Sequence, residues 1–180
     1  MIFGLFYYWL LYQRIRFAQT QVHHRLKDVI AAIHRRIDEF DVVLEVVRQK
    51  MSDETSVLQE FKEAKQTLLQ ALSAHDVNQI ATADAELDRA EYDMKERLKA
   101  HEELRDNPEI NRHLSDVNTV DGLFAQQVKA YNDTIDDFNH QIRQFPMFLV
   151  AQAMRVRRAD RFMLEQATVM DKQLDAIVLD

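Results

Sequence analysis

A chain of 180 residues with two Gly, two Pro and no Cys has few places to turn and no thiolate chemistry, which excludes a disulfide framework and cysteine-held metals. Its net charge of −7 argues against wholesale nucleic-acid binding, and its length suffices for one domain with a sizeable core. Val, Ile and aromatic residues never alternate with polar ones over a useful stretch, so no strand is predicted.

Residues 1–12, MIFGLFYYWLLY, carry no charge and run up to Gln13, Arg14 and Arg16. The stretch is shorter than the roughly 20 residues that span a bilayer. No basic region precedes it and no A-x-A-like site follows it, so it does not read as a tidy secretory signal. It reads either as a helix end inside a protein core or as a membrane anchor made by Phe3, Leu5, Phe6, Tyr7, Tyr8, Trp9, Leu10, Leu11 and Tyr12. Successive turns that are apolar on every face suit lipid better than a bundle, and Tyr and Trp favour the membrane interface. Residues 1–17 are therefore taken as an apolar membrane-anchor segment continuing into the first helix, and 18–180 as a single helical-bundle domain. A shortfall in length leaves two options: the natural chain begins upstream, or the segment lies in one leaflet or oligomerises.

Leu26, Ile30, Ile33, Ile37, Phe40, Leu44, Val47 and Met51 are spaced 4, 3, 4, 3, 4, 3, 4, a heptad stripe that predicts one helix over residues 2–51. Ser52 or Asp53 can cap a second helix carrying Leu58, Phe61, Leu68, Leu69 and Leu72. Asp76 can cap a third, whose stripe of Ile80, Ala83, Leu87, Ala90, Met94 and Leu98 is thin and flanked by charge. Asn107 and Pro108 open a fourth. Its stripe runs Ile110, Leu114, Val117, Asp121, Phe124, Val128, Tyr131, Ile135, Phe138, Ile142 and Phe145, with one charged member. After Pro146 comes the apolar octet 147–154, then Arg155, Arg157, Arg158 and Arg161, then a final helical stretch with Phe162, Leu164, Val169, Met170, Leu174 and Val178. The pattern predicts an all-α fold, an elongated antiparallel bundle of four to five long helices behind the N-terminal anchor.

Asn132 and Asn139 each sit one position after a stripe aromatic, at the edge of the seam. They are either solvated or bonded across to another helix, where they would fix register. The four arginines form either a solvated charge run or contacts to an anionic surface, lipid headgroups or an acidic partner.

Motifs for chemistry are incomplete. His101-Glu102 starts a helical zinc motif, but position 105 is Arg. Asp137 and His140 give a single carboxylate-x-x-His where a di-iron bundle needs two Glu-x-x-His motifs. His23, His24 and His34 do not share a ligand spacing, and no phosphate loop or nucleophile elbow is present. No enzyme activity, cofactor, metal site or small-molecule substrate is expected.

Tyr131-Asn132, Phe138-Asn139, Ile142, Phe145-Pro146 and Leu149-Val150-Ala151 resemble the signature of the LemA family, Y-N-x-x-V/I-x-x-[YF]-N-x-x-I-x-x-F-P-x-x-L-[VI]-A. Tyr12, Ile15 and Val22 resemble the segment after that family's anchor, and Arg35-Arg36 with Asp38 resemble its R-R-x-D. The chain departs from the pattern at Gln13. The family's D-L-I-P-N-L-V is here residues 38–44 without the proline, so the first helix should run straighter, and Ala153-Met154-Arg155 replaces F-G-F. The resemblance implies an N-terminally anchored bacterial membrane protein without established catalysis, its helical body on the extracytoplasmic side. Relatives of this kind are linked to envelope processes, and one branch to magnetosome membranes. Arg14 and Arg16 on the body side of the anchor point instead to a cytoplasmic body. The expected role is a membrane-bound scaffold whose partners are the bilayer and a protein or a second copy. The alternative is a soluble helical oligomer, or interaction module, with residues 1–12 as its subunit seam.

Overall fold

A computed structural model describes residues 2–50, 55–100 and 105–164. Among these, the chain is helical without strands: α1 is Ile2–Lys50, α2 Thr55–Ala74, α3 Val77–Ala100, α4 Pro108–Gln141 and α5 Met147–Ala153. The all-helical expectation holds. So does the unbroken first helix, 49 residues long, as the missing proline requires. Asp76 Oδ1 accepts the backbone N–H groups of Asn78 at 2.9 Å and Gln79 at 3.3 Å, capping α3. Asn107 Oδ1 does the same for Glu109 at 2.9 Å and Ile110 at 3.3 Å, with Pro108 in the first helical position. Between α2 and α3, His75 adopts φ 55° and turns the chain. The proposed caps Ser52 and Asp53, Met51, the His101-Glu102 pair, and Val169, Met170, Leu174 and Val178 lie outside the described residues.

The chain forms two compact units, Met1–His34 with Gly122–Arg161, and Arg35–Asp121 with Phe162–Asp180. Helices α1 and α4 contribute to both.

Along α1, the stripe read off the sequence is buried at Ile33, Ile37, Phe40 and Val47, and a neighbouring line is buried beside it. Val29, Arg36, Val43 and Val46 are buried as well, whereas Leu26, Ile30 and Leu44 are half-buried. An arginine, Arg36, occupies a core position beside buried Ile37, and a reading that follows apolar residues passes over it. On α2, Phe61, Ala64, Leu68, Ala71 and Leu72 are buried while Leu69 is exposed. All six stripe residues of α3 are buried, and the alanines allow close approach to α2. The Phe40 and Phe61 rings stack with centroids 4.9 Å apart. Lys65 of α2 pairs with Asp41 of α1, and Lys95 Nζ lies 5.7 Å above the Phe40 ring.

The first unit is built on Ile15, Phe138, Ile142, Met147, Val150 and Ala151, with Leu11, Tyr12, Ala18, Val22, Met154, Val156 and Ala159 packed around them. The stripe of α4 stays buried from Phe124 to Ile142. It does not reach Phe145, which is 79% exposed, because the helix ends at Gln141 and the backbone re-aims before Pro146. The Phe145–Pro146 peptide bond is cis.

Helix α5 ends in a Schellman motif. The Val156 N–H donates to Ala151 O at 2.9 Å and the Arg155 N–H to Gln152 O at 3.0 Å, with Arg155 at φ 54°. Glycine is the residue that this left-handed position favours. Arg155→Gly is therefore expected to raise stability by about 0.5–1 kcal/mol in urea denaturation.

Residues 156–164 are not helical, so the final helix expected to follow the arginines does not begin there. This returning segment is what Asn139 and Tyr131 hold. Asn139 Nδ2 donates to Ala159 O at 2.9 Å, and the Ala159 N–H donates to Asn139 Oδ1 at 2.9 Å. Tyr131 Oη donates to Asp160 O at 2.9 Å. Burial, and then Asp160, push the Tyr131 phenol up to about 12, so it remains a donor at any physiological pH. The amide at 139 therefore clamps a peptide group of a non-helical strand of chain instead of fixing register between helices. Asn139→Ala leaves a partly buried N–H and C=O unmatched, and a loss of about 1–3 kcal/mol is expected in urea denaturation.

Candidate functional site

Two features of the molecule depart from an ordinary helical core. One is the start of α1. Phe3, Leu5, Phe6, Tyr7, Tyr8, Trp9 and Leu10 are all exposed, from 88% at Phe3 to 44% at Leu10. A helix has about 3.6 residues per turn, so this run leaves no face covered. Packing begins only at Leu11 and Tyr12, which rest on the core of the first unit. Phe6 and Trp9 stack with centroids 6.0 Å apart. No helix among the described residues is long and apolar enough to cross a membrane. The reason is the early arrival of Arg14 and Arg16: the uncharged run is about 18 Å long at 1.5 Å per residue, against roughly 30 Å of hydrocarbon.

The arginines that follow α5 are exposed. Arg161 lies 3.6 Å from Asp136, whereas Arg155, Arg157 and Arg158 form no ion pair with a carboxylate among the described residues. Of the signature residues, Tyr131 and Phe138 are buried in the core and Asn139 clamps Ala159, while Phe145 faces outward. Asn132 and Pro146 are half-buried.

The second feature is one that apolar patterning does not reveal. Arg36 is 3% exposed in the second unit, and four carboxylates surround it. Its Nη1 reaches Asp84 Oδ1 at 2.9 Å, its Nη2 reaches Glu91 Oε2 at 3.1 Å and also Asp88, and its Nε lies 3.0 Å from Asp121 Oδ1. Lys95 Nζ stands 3.6 Å from Asp121 Oδ2. Helix α3 supplies Asp84, Asp88, Glu91 and Lys95 at spacings of 4, 3 and 4, one continuous face beside the alanine stripe. Helix α4 supplies Asp121, the one charged member of its seam. Two signals are thus present in the sequence: a charge inside each of two apolar stripes, and an acidic heptad face on the helix that meets both of them.

The electrostatics follow from counting. Four ionised carboxylates with Arg36 and Lys95 leave the cluster two charges negative, in a low-dielectric interior. Burial raises both Asp84 and Glu91 to about 7, with Arg36 opposing and the neighbouring carboxylates pushing them further up. Two protons taken up near neutrality make the cluster electroneutral. Glu91 Oε1, buried without a hydrogen-bond partner, offers a place for one of them. For Arg36, burial alone would lower the pKa, but Glu91, Asp84, Asp88 and Asp121 overcome it and hold the guanidinium charged. Arginine suits this place because its planar fork can meet several carboxylates at once. Among the described residues, no group of three or more His, Asp or Glu is placed to hold a metal ion. A guanidinium fills the centre where the carboxylates converge.

A family model covers residues 25–174 of the chain, that of the LemA family. No curated protein matches.

Proposed function

The chain belongs to the LemA family, and on that premise we propose that it is a membrane-anchored antiparallel helical bundle with a structural, scaffolding role at a bacterial membrane. The exposed apolar run from Phe3 to Leu10 carries this reading. Contiguous apolar surface of this kind marks a place that something other than water covers. Four of its members are Tyr or Trp with Tyr12 included, the side chains that settle at the headgroup boundary. Residues 1–12 hold the protein at the lipid, Arg14 and Arg16 reach into the headgroups, and the helical body presents surface to a protein partner or a second copy. The body faces the extracytoplasmic side, as the family resemblance implies. The role is non-catalytic, since the conspicuous polar constellation is buried and its centre is filled by an arginine.

Fractionation of cells producing the chain tests this reading. The protein is expected in the membrane pellet after an alkaline wash, and deletion of residues 1–12 should release it. Protease added to sealed cells should digest the body from outside. A washed-off protein whose oligomeric size falls on that deletion would make the apolar run a subunit seam and refute the anchor.

A further inference from the structure

We propose that the outer face of α5, Phe148 and Leu149, together with Phe145 just before it and the arginines that follow it, is a second membrane contact that docks on an anionic lipid surface beside the anchor. The inference rests on the anchoring proposed above and adds a site to it.

Helix α5 is apolar on two faces. Met147, Val150 and Ala151 are buried in the core of the first unit. Phe148 and Leu149 on the helix are exposed at 42% and 49%, and Phe145, just before it, at 79%. A seven-residue helix that needs only one face for packing has no folding reason for the second.

Charge identifies the occupant. No Asp or Glu occurs from residue 138 to 159, and none from 1 to 27. The first stretch carries Arg143, Arg155, Arg157 and Arg158; the second carries Arg14, Arg16, Arg25 and Lys27. All 30 acidic residues lie elsewhere, so these two stretches are +8 and the remaining chain is −15, which together give the net −7. The fold brings the two stretches together, because Leu11, Tyr12 and Ile15 pack with Met147, Val150 and Ala151. An apolar face on a stretch rich in exposed cations, of which Arg25 alone is ion-paired among the described residues (with Asp28, 3.6 Å), complements anionic headgroups over an acyl layer. Arg155 adds a separate observation. It occupies the left-handed position that glycine favours, and its side chain makes no ion pair among the described residues.

The chain has no Cys and a single Trp, Trp9 in the anchor, so two reporters can be read in the full chain. An environment-sensitive fluorophore on Leu149→Cys is compared with one on exposed Tyr92→Cys, on phosphatidylcholine vesicles with and without phosphatidylglycerol, using a lipid-borne quencher. The label at 149 is expected to shift blue and be quenched on anionic vesicles, on the order of tenfold more than on neutral ones, and the label at 92 to stay aqueous. The combined variant Arg155→Gly, Arg157→Gln and Arg158→Gln should lose the response at 149 while Trp9 remains quenched. It should also fold at least as well, so unfolding cannot explain the loss. A quenched Trp9 with an aqueous label at 149 would overturn the second contact and leave the anchor standing. No response from either reporter would remove the anchor and the second contact together. Equal response at 149 on neutral lipid would overturn the role of the arginines. A blue shift at 149 that grows with protein concentration without vesicles would give the face to a second copy instead.

Discussion

Arg36→Met is expected to destabilise the chain by roughly 3–5 kcal/mol in urea denaturation near pH 7.5, the range for breaking a buried ion pair from one side. Methionine is unbranched and close to arginine in length, so packing contributes little of the loss. The loss comes from Asp84 and Glu91, which are almost wholly buried and keep no cation of comparable contact once the guanidinium is gone. This cause has a signature that a packing defect lacks. Replacing both carboxylates with amides, Asp84→Asn and Glu91→Gln, should recover most of the loss in the Arg36→Met background. Lowering the pH to 5 should recover part of it too, since the orphaned carboxylates then take up protons. A loss that is the same at both pH values and is not rescued by the amides would assign Arg36 a steric role only.

The second large effect is the pH dependence of the natural chain. Unfolded, Asp84 and Glu91 titrate near 3.8 and 4.5; folded, both sit at about 7, raised chiefly by burial. Between these values the folded state binds protons that the unfolded state releases. Stability therefore falls as pH rises from about 4 to about 7 and levels off above, opposite to the usual carboxylate with a depressed pKa. Over pH 5 to 8 the fall should be roughly 2–4 kcal/mol, because a tenfold change in a proton's affinity is worth about 1.4 kcal/mol and the two groups are coupled through Arg36. The groups facing them are Arg36 from α1, Asp88 and Lys95 from α3 and Asp121 from α4. The double amide variant should show a nearly flat profile across the same range and be more stable than the natural chain at pH 8. A natural chain whose stability rises from pH 5 to 8 would show that these carboxylates stay ionised throughout.

Local signals were legible in the sequence. The helix starts at Asp76 and Asn107-Pro108 are set by side chains bonding to backbone groups two and three residues on, and the α4 stripe from Ile110 to Ile142 repeats over many turns. The exposed apolar start of α1 was legible for the same reason. What stays hidden depends on groups that a pattern of apolar residues omits. Arg36 and Asp121 occupy seam positions, so a reading that seeks hydrophobes either skips them or treats them as exceptions. Asp84 and Glu91 look like a solvated flank until α1 and α4 are placed beside them. Asn139 has a partner 20 residues away and Tyr131 one 29 residues away, and both partners are backbone carbonyls or N–H groups, which every residue type supplies. The non-helical return after α5 is held by those bonds, so nothing local announces it. The apolar octet before the arginines is helical through Ala153, and the Schellman turn at Arg155 closes it. A residue other than Gly at that turn hides it from composition.

The membrane is the partner on which the proposed role depends, and Trp9 reports on it directly. It is the single tryptophan of the chain, it lies in the middle of the apolar run, and it is about half-exposed. Its emission should be measured in the full chain at low protein concentration, with and without phosphatidylcholine vesicles carrying a quencher in the acyl region. For an anchored protein the expected result is emission that moves to shorter wavelength on lipid and is strongly quenched there. Emission that stays unchanged and unquenched when vesicles are added would contradict the anchor and the role built on it.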